Sequence, residues 1–309
     1  VRRAVWASST AVVCNTTRSV AGEVRVEVSN NGREYTSDGV RLQLVSVRVV
    51  EVQPWSGPVL GATVVSVRGR GLLAGELQCR FGESDGAMAW SGGASRLRCA
   101  SAPSAVTGWV GVQLSSFYGA LSSGGSFYYH APLVASALTP ALGPERGGTR
   151  VTVLGSFFRD AYTLRCRFEN ASAAVLARYV DDNQLECSSP VHSLGPKRLM
   201  LSMNGQQYDE GTLTFTYQAA AAVSSVSPAS ALAEGGTPVT VHGAHFSAAS
   251  EALGLLLCRI GSTVRRAVWA SSTAVVCNTT RSVAGEVRVE VSNNGREYTS
   301  DGVRLQLVS

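Results

Sequence analysis

Residues Leu138–Phe158 read LTPALGPERGGTRVTVLGSFF: a proline, a glycine pair followed by threonine, valines at Val151 and Val153, then Gly155 and the aromatic Phe158. Apolar residues at every second position have the period of a half-buried strand, and a glycine after them marks a tight turn. Two further stretches repeat the pattern, VQPWSGPVLGATVVSVRGRGL from Val52 and VSPASALAEGGTPVTVHGAHF from Val226. Their anchoring prolines, Pro54, Pro140 and Pro228, lie 86 and 88 residues apart. Self-comparison thus divides the chain into units of roughly 88 residues before any strand is assigned.

A longer period encloses this one. Val1–Ser46 recurs letter for letter as Val264–Ser309, a period of 263 residues spanning three units. Related domains keep a core pattern while their exposed positions drift, so identity at every position implies a periodic polymer longer than the 309 residues here. The expected division is the C-terminal half of a domain at 1–46, completed by an upstream repeat, then complete domains at 47–130, 131–219 and 220–309. Alone, the half-domain would expose its inward valines and leave backbone groups unpaired.

Short alternating strands separated by glycine- or proline-containing turns dominate every unit, and helical periodicity is nearly absent. Val24–Val28 and Val40–Leu44 flank Asn30-Asn31-Gly32, whose Asn-Gly step supplies the positive φ of a hairpin turn. Leu199–Met203, Asn204-Gly205 and the Leu213, Phe215, Tyr217 alternation repeat it, as do Val110, Val112 and Leu114 with Phe127 and Tyr129. Roughly seven strands per unit with turns every 8 to 12 residues predict a β-sandwich.

Six of the seven cysteines fall into evenly spaced pairs: Cys79 with Cys99, Cys166 with Cys187, and Cys258 with Cys277. Disulfides closing loops of about 20 residues would each stabilise a small domain by about 3 kcal/mol and point to an oxidising compartment; buried free thiols are the alternative. Cys14 is the repeat equivalent of Cys277, and its partner is expected in the upstream copy. The net charge is +5, two charges of which lie in the duplicated stretch, leaving +3 scattered over one period. That excludes the dense basic face of a nucleic-acid binder. No run of 18 apolar residues spans a membrane within this window.

Pro140, Gly147-Gly148-Thr149, Gly155 and Phe158, with Pro228, Gly235-Gly236-Thr237, Gly243 and Phe246, then Cys-Arg-Phe or Cys-Arg-Ile and later Leu-Glu-Cys-Ser-Ser-Pro, resemble the IPT/TIG domain. In the first complete unit Gly61-Ala62-Thr63 and Leu72 stand in for the glycine pair and the aromatic. The resemblance implies an all-β chain of tandem immunoglobulin-like β-sandwiches. Such modules occur in plexin-like receptor ectodomains, fibrocystin-like giant proteins, Rel-type transcription factors and some starch-active enzymes, so the family implies fold rather than function. Junctions are short, Val40–Val45 running almost directly into Val47–Val50, and predict a stiff end-to-end rod. At roughly 3.3 Å per strand residue the period would span on the order of 110 to 130 Å.

Sequons at Asn15-Thr16-Thr17, Asn170-Ala171-Ser172 and Asn278-Thr279-Thr280 are candidates for N-glycans, the one covalent addition expected. Gly82-Glu83-Ser84-Asp85-Gly86 matches a nucleophile elbow by letter, yet no helix follows, so it reads as a turn. His242 and His245 lack a helix and a glutamate, and Asp160, Asp181 and Asp182 lack an alternating series of oxygen ligands, so neither set predicts a metal. One of each neighbouring aromatic pair around Trp109 and Tyr128 must face outward, to stack on a sugar or on the next domain. No catalytic residue and no cofactor is expected.

These readings predict a structural, non-enzymatic, extracellular glycoprotein filament whose partners are further copies of the repeat and glycans; its exact repetition resembles a mastigoneme-like surface hair. An adhesion or receptor ectodomain stalk is the first alternative. A carbohydrate-binding accessory region of an enzyme is the second.

Overall fold

The strands that follow the three glycine-threonine turns lie at the centre of three hydrophobic cores. Val65 and Val67, Val151 and Val153, and Val239 and Val241 are all fully buried, while the residues between them face outward or halfway. The computed structural model describes all residues except 17–19, 45, 73–76, 85–86, 92–94 and 117–118. It divides into two units, Val1–Trp55 with Val59–Tyr129, and Ser56–Pro58 with His130–Ser309.

In the second unit, residues 220–309 form two facing sheets. One runs Ala222–Ser227, Pro238–Ala244, Ala274–Asn278, Val268–Ser271; the other runs Ser230–Leu232, Arg304–Val308, Gly285–Ser292, Leu257–Ile260, Thr263–Arg266. Val223, Val239, Val241 and Val275 from the first sheet meet Val289, Val291, Leu305 and Leu307 from the second. Residues 131–219 repeat the plan, except that Val175–Asp181 pairs with Gln184–Ser188 and, at its start, with Arg165–Phe168, joining the two sheets into a single eight-stranded one. In the first unit, Arg48–Gln53, Val64–Arg70, Arg96–Ala100 and Trp90–Ser91 form one sheet, facing Gln78–Phe81 and its neighbour Gly108–Ser116.

The recurrent motif has a steric cause. A Cβ on Gly155 would stand 2.1 Å from the Val134 carbonyl oxygen and 2.5 Å from Phe158 Cζ, so only glycine lets the first strand and the aromatic ring close over this point. The same clash exists at Gly243, with Ala222 and Phe246. At Gly147, φ is +71° and a Cβ would meet the Pro190 backbone at 2.6 Å. The next residue, Gly148, donates its N–H to the Ser189 carbonyl at 2.8 Å, and Thr149 N–H donates to Ser189 Oγ at 3.1 Å. Gly-Gly-Thr is thus fastened to the chain just past the second cysteine, which explains why the two motifs travel together.

Cys79–Cys99, Cys166–Cys187 and Cys258–Cys277 are disulfides, each linking strands on opposite sides of its core, and Cys14 is a free, exposed thiol. Two details depart from the sequence reading. Residues 220–309 contain a short helix, Ala248–Ala252, capped at Ser247. The Asn-Gly steps, moreover, are not two-residue hairpin turns. Gly295 has φ +71° and Asn294 does not have a positive φ, whereas the type I′ turn needs both residues there. Instead Asn294 Oδ1 accepts the N–H groups of Arg296 and Glu297, the chain bonds back to Val291 through Thr299, and the regular strand pairing resumes at Arg304.

Candidate functional site

The same Asn-Gly turns mark the most elaborate polar feature of the second unit. Ser292 ends its strand with its hydroxyl donating to Asn294 Oδ1 at 3.2 Å, and the resulting turn holds the asparagine with its amide directed away from its own sandwich. That amide, Asn294 Nδ2, donates to the Leu142 carbonyl at 3.3 Å, to Thr149 Oγ1 at 3.4 Å and to Glu297 Oε2 at 2.5 Å. Thr149 Oγ1 in turn donates to Glu297 Oε2 at 2.8 Å. Asn294 is 3% exposed and Thr149 is fully buried, so these bonds form in a water-poor setting where an unpaired polar group would be costly.

A second fastening holds the linker. Gln218 Nε2 donates to Ser247 Oγ at 3.1 Å, and Ser250 Oγ donates to Gln218 Oε1 at 3.5 Å. The short helix therefore serves the joint, since its cap and first turn receive the end of the preceding domain. Beside both fastenings lies a shallow cleft bordered by Arg146, Gln218, Tyr298 and Thr299. These bonds join residues 131–219 to 220–309.

The residues weighed for chemistry lie elsewhere. Asn15, Asn170 and Asn278 are exposed, Asn170 in a turn at φ +62° and Asn278 at the end of its strand; Thr17, which completes the first sequon, is outside the described residues. Ser84 Oγ donates to the Phe81 carbonyl at 2.8 Å, closing a turn, and Asp85 and Gly86 are outside the described residues. His245 Nδ1 donates to the Ala220 carbonyl at 3.0 Å. Asp181 caps Asn183 N–H, while Asp182 accepts the Tyr179 hydroxyl at 2.5 Å, a bond that pushes the phenol up to about 12. Among the described residues no three His, Cys, Asp or Glu side chains cluster as a metal site. No helix among them is long and apolar enough to cross a membrane. In the first unit Trp109, 63% exposed, stacks on Trp55 at 5.6 Å and meets Tyr128 edge-on at 5.3 Å.

Sequence reasoning singled out Thr149 and the Asn-Gly step separately, each as a turn element. It missed their meeting, and it missed Glu297 and Gln218 altogether. The signal for it was the second motif's position at the end of a strand, where an outward-pointing turn faces a neighbour.

Two disulfide-linked sandwiches joined through such a turn define a protein of tandem immunoglobulin-like domains. The IPT/TIG domain model matches residues 133–217 and 221–307, and the chain belongs to that family. Human Plexin-A3 is 26% identical over 217 residues, which cover 66% of this chain and 11% of Plexin-A3. Human Fibrocystin-L is 26% identical over 171 residues, 55% of this chain and 4% of that protein. The chain thus corresponds to a small part of either relative. Among solved structures, the full extracellular region of plexin A4 aligns with 83% of this chain and 23% of its own, at 17% identity and a TM-score of 0.48.

Proposed function

We propose that this chain is a non-catalytic spacer from the extracellular stalk of a receptor or adhesion protein. Its tandem IPT/TIG domains set the distance between whatever lies at either end. The observation that carries this reading is the fastened joint of Asn294, Glu297 and Thr149, a device that fixes one sandwich on the next. Similarity to part of Plexin-A3 and the three disulfides support an extracellular setting. Glycans at Asn15, Asn170 and Asn278 belong to the same reading, since all three side chains are exposed.

A periodic filament is the second reading, favoured by one observation: the letter-perfect recurrence of 46 residues at a spacing of 263. In this form the partners are further copies of the repeat.

Protease treatment of intact cells, followed with an antibody against residues 131–219, tests the location. Release of the epitope into the medium supports a surface stalk or filament. Full protection until the cells are lysed overturns both. Electron microscopy of the released material separates them: a repeating axial period marks a filament, and a single short segment next to an unrelated domain marks a stalk.

A further inference from the structure

Strand pairing in residues 47–130 gathers arginines that stand apart in the sequence. Arg48, Arg68, Arg70, Arg96 and Arg98 are all exposed, and they alternate with the buried Val49, Val67, Gly69, Leu97 and Cys99. The two-residue period therefore puts all five on the outer face of the sheet built from Arg48–Gln53, Val64–Arg70, Arg96–Ala100 and Trp90–Ser91. Register then sets them side by side: Arg96 lies opposite Arg68, Arg48 opposite Arg70, and Arg98 opposite Ser66. With about 4.8 Å between strands and about 6.7 Å between successive outward residues, the five fall in a field of about 10 by 13 Å. Charge that reads as scattered along the sequence is concentrated at this face, because register brings distant positions together.

Among the described residues of these strands, one carboxylate faces the arginines. Glu51 lies opposite Arg68 and pairs with it at 3.3 Å, whereas Arg48, Arg70, Arg96 and Arg98 have no carboxylate partner among the described residues. Like charges directly across a strand pair repel, so Arg68 beside Arg96 and Arg48 beside Arg70 work against the fold.

Nor does the scaffold require them. In residues 131–219 the same five registers hold Val134, Leu154, Ser156, Gln184 and Glu186, the last bridged to Arg150 and Arg178. In residues 220–309 they hold Ala222, His242, Ala244, Ala274 and Val276. A cluster that opposes folding in one sandwich and is absent from two others on the same plan is explained by what it binds.

We propose that this face binds a sulfated polysaccharide. Each guanidinium presents a planar fork of N–H donors to the oxygens of a sulfate group, and its charge does not titrate away. A linear polyanion suits the layout, since its charges recur along one chain while the arginines spread over three adjacent strands of an open surface. Trp90, 43% exposed and opposite Arg98, adds a ring on which the apolar face of a sugar can lie. Single-stranded nucleic acid calls for a series of stacking aromatics, and among the described residues this face has one. Duplex DNA calls for a helix or two-stranded ribbon that enters a groove, and the face of a four-stranded sheet is too broad. The choice of a glycan over an intracellular polyanion rests on the extracellular reading above.

The test measures binding of heparin, as the probe, to the purified full chain by calorimetry at about 0.15 M salt. Heparin should bind the parent chain, and more weakly as salt rises, because binding releases condensed counterions. Arg70→Ser with Arg96→Gln, the residues that 131–219 carries at these registers, should weaken it by about tenfold or more. Arg265→Gln with Arg266→Gln removes the same charge from exposed positions of another sandwich and should change it by less than about twofold. Desulfated heparin and hyaluronan, which keep their carboxylates, should bind at least about tenfold more weakly than heparin. A second readout needs no variant: heparin should shield Arg48, Arg70, Arg96 and Arg98 of the parent chain from hydroxyphenylglyoxal, mapped by mass spectrometry, and leave Arg265 and Arg266 reactive. Both measurements use purified chain, so they succeed or fail independently of the protease test of location. The proposal is overturned if the parent chain does not bind heparin, if the two pairs of substitutions weaken binding equally, if the shielded arginines lie elsewhere, or if desulfated heparin, duplex DNA or phosphatidylserine vesicles bind as tightly through the same arginines.

Discussion

Thr149 Oγ1 and Glu297 Oε2 lie 2.8 Å apart, a hydrogen bond between residues 148 positions distant in the chain and in different sandwiches. Around it Asn294 shares both partners, so the three side chains act as one fastening rather than as independent contacts.

Removing that hydroxyl should weaken the joint without emptying a core. Thr149→Val keeps the volume, and together with Glu297→Ala it forms a double-mutant cycle whose coupling should be about 1 kcal/mol. Denaturant unfolding gives the coupling, and limited proteolysis at Ala219–Ala222 gives the loosened linker. Glu297→Gln should be nearly neutral, because Gln207 already takes the amide of Asn204 at 2.6 Å in the equivalent turn.

Replacing Cys166 and Cys187 together by alanine should cost about 3 kcal/mol, given the 21-residue separation between them. Differential scanning calorimetry should show one transition moved down while that of residues 220–309, closed by its own Cys258–Cys277 bond, stays in place. A loss shared equally by both transitions would mean that the sandwiches unfold as one.

Asp209 Oδ1 accepts the Leu201 N–H at 2.8 Å, and burial pushes its carboxyl up from the ordinary range. The equivalent bond in 220–309 is made by a neutral hydroxyl, Thr299 Oγ1 to Val291 N–H. A raised folded-state pKa means that stability is present at low pH and lost as pH rises through the carboxylate range, so the ionised form at pH 7 is a burden. Asp209→Thr should therefore match or exceed the parent by roughly 0.5 to 1 kcal/mol at pH 7 and lose that advantage near pH 3.

His130 is buried, its Nδ1 donates to the Ala131 carbonyl at 2.8 Å, and its Nε2 finds no hydrogen-bond partner among the described residues. Burial, first, and the nearby Arg159 hold its pKa below the ordinary value, against the upward pull of that backbone bond. The unfolded chain then takes a proton that the folded chain refuses. No penalty exists above the unfolded-state value of about 6.5, and one grows as pH falls below it toward the lower folded-state value. Urea midpoints at pH 7.5 and 5 should differ for the parent, and His130→Phe should shrink the difference.

Much of this architecture was legible in the residues. Valines two apart, a glycine pair before threonine and evenly spaced cysteines report local sterics and a two-residue period, which act within one strand and its turn. Gly155 is a case in point: its clash with Val134 and Phe158 is a property of one short stretch, and the stretch declares it by keeping glycine. The Asn-Gly steps misled because the dipeptide specifies only a positive φ at glycine. Whether the chain then turns tightly or runs out toward a neighbour depends on what Ser292 and Asn294 can bond to.

Sequence by itself determined that each unit folds as a sandwich, where its cysteines lie and which residues face inward, because strand periodicity and turn chemistry are short-range. Only the tertiary structure decided that Thr149 meets Asn294 and Glu297, since nothing in a period of two residues encodes a partner in the next domain. Burial depends on the apolar surface that arrives from elsewhere in the chain, and a residue's own neighbours along the sequence do not supply it.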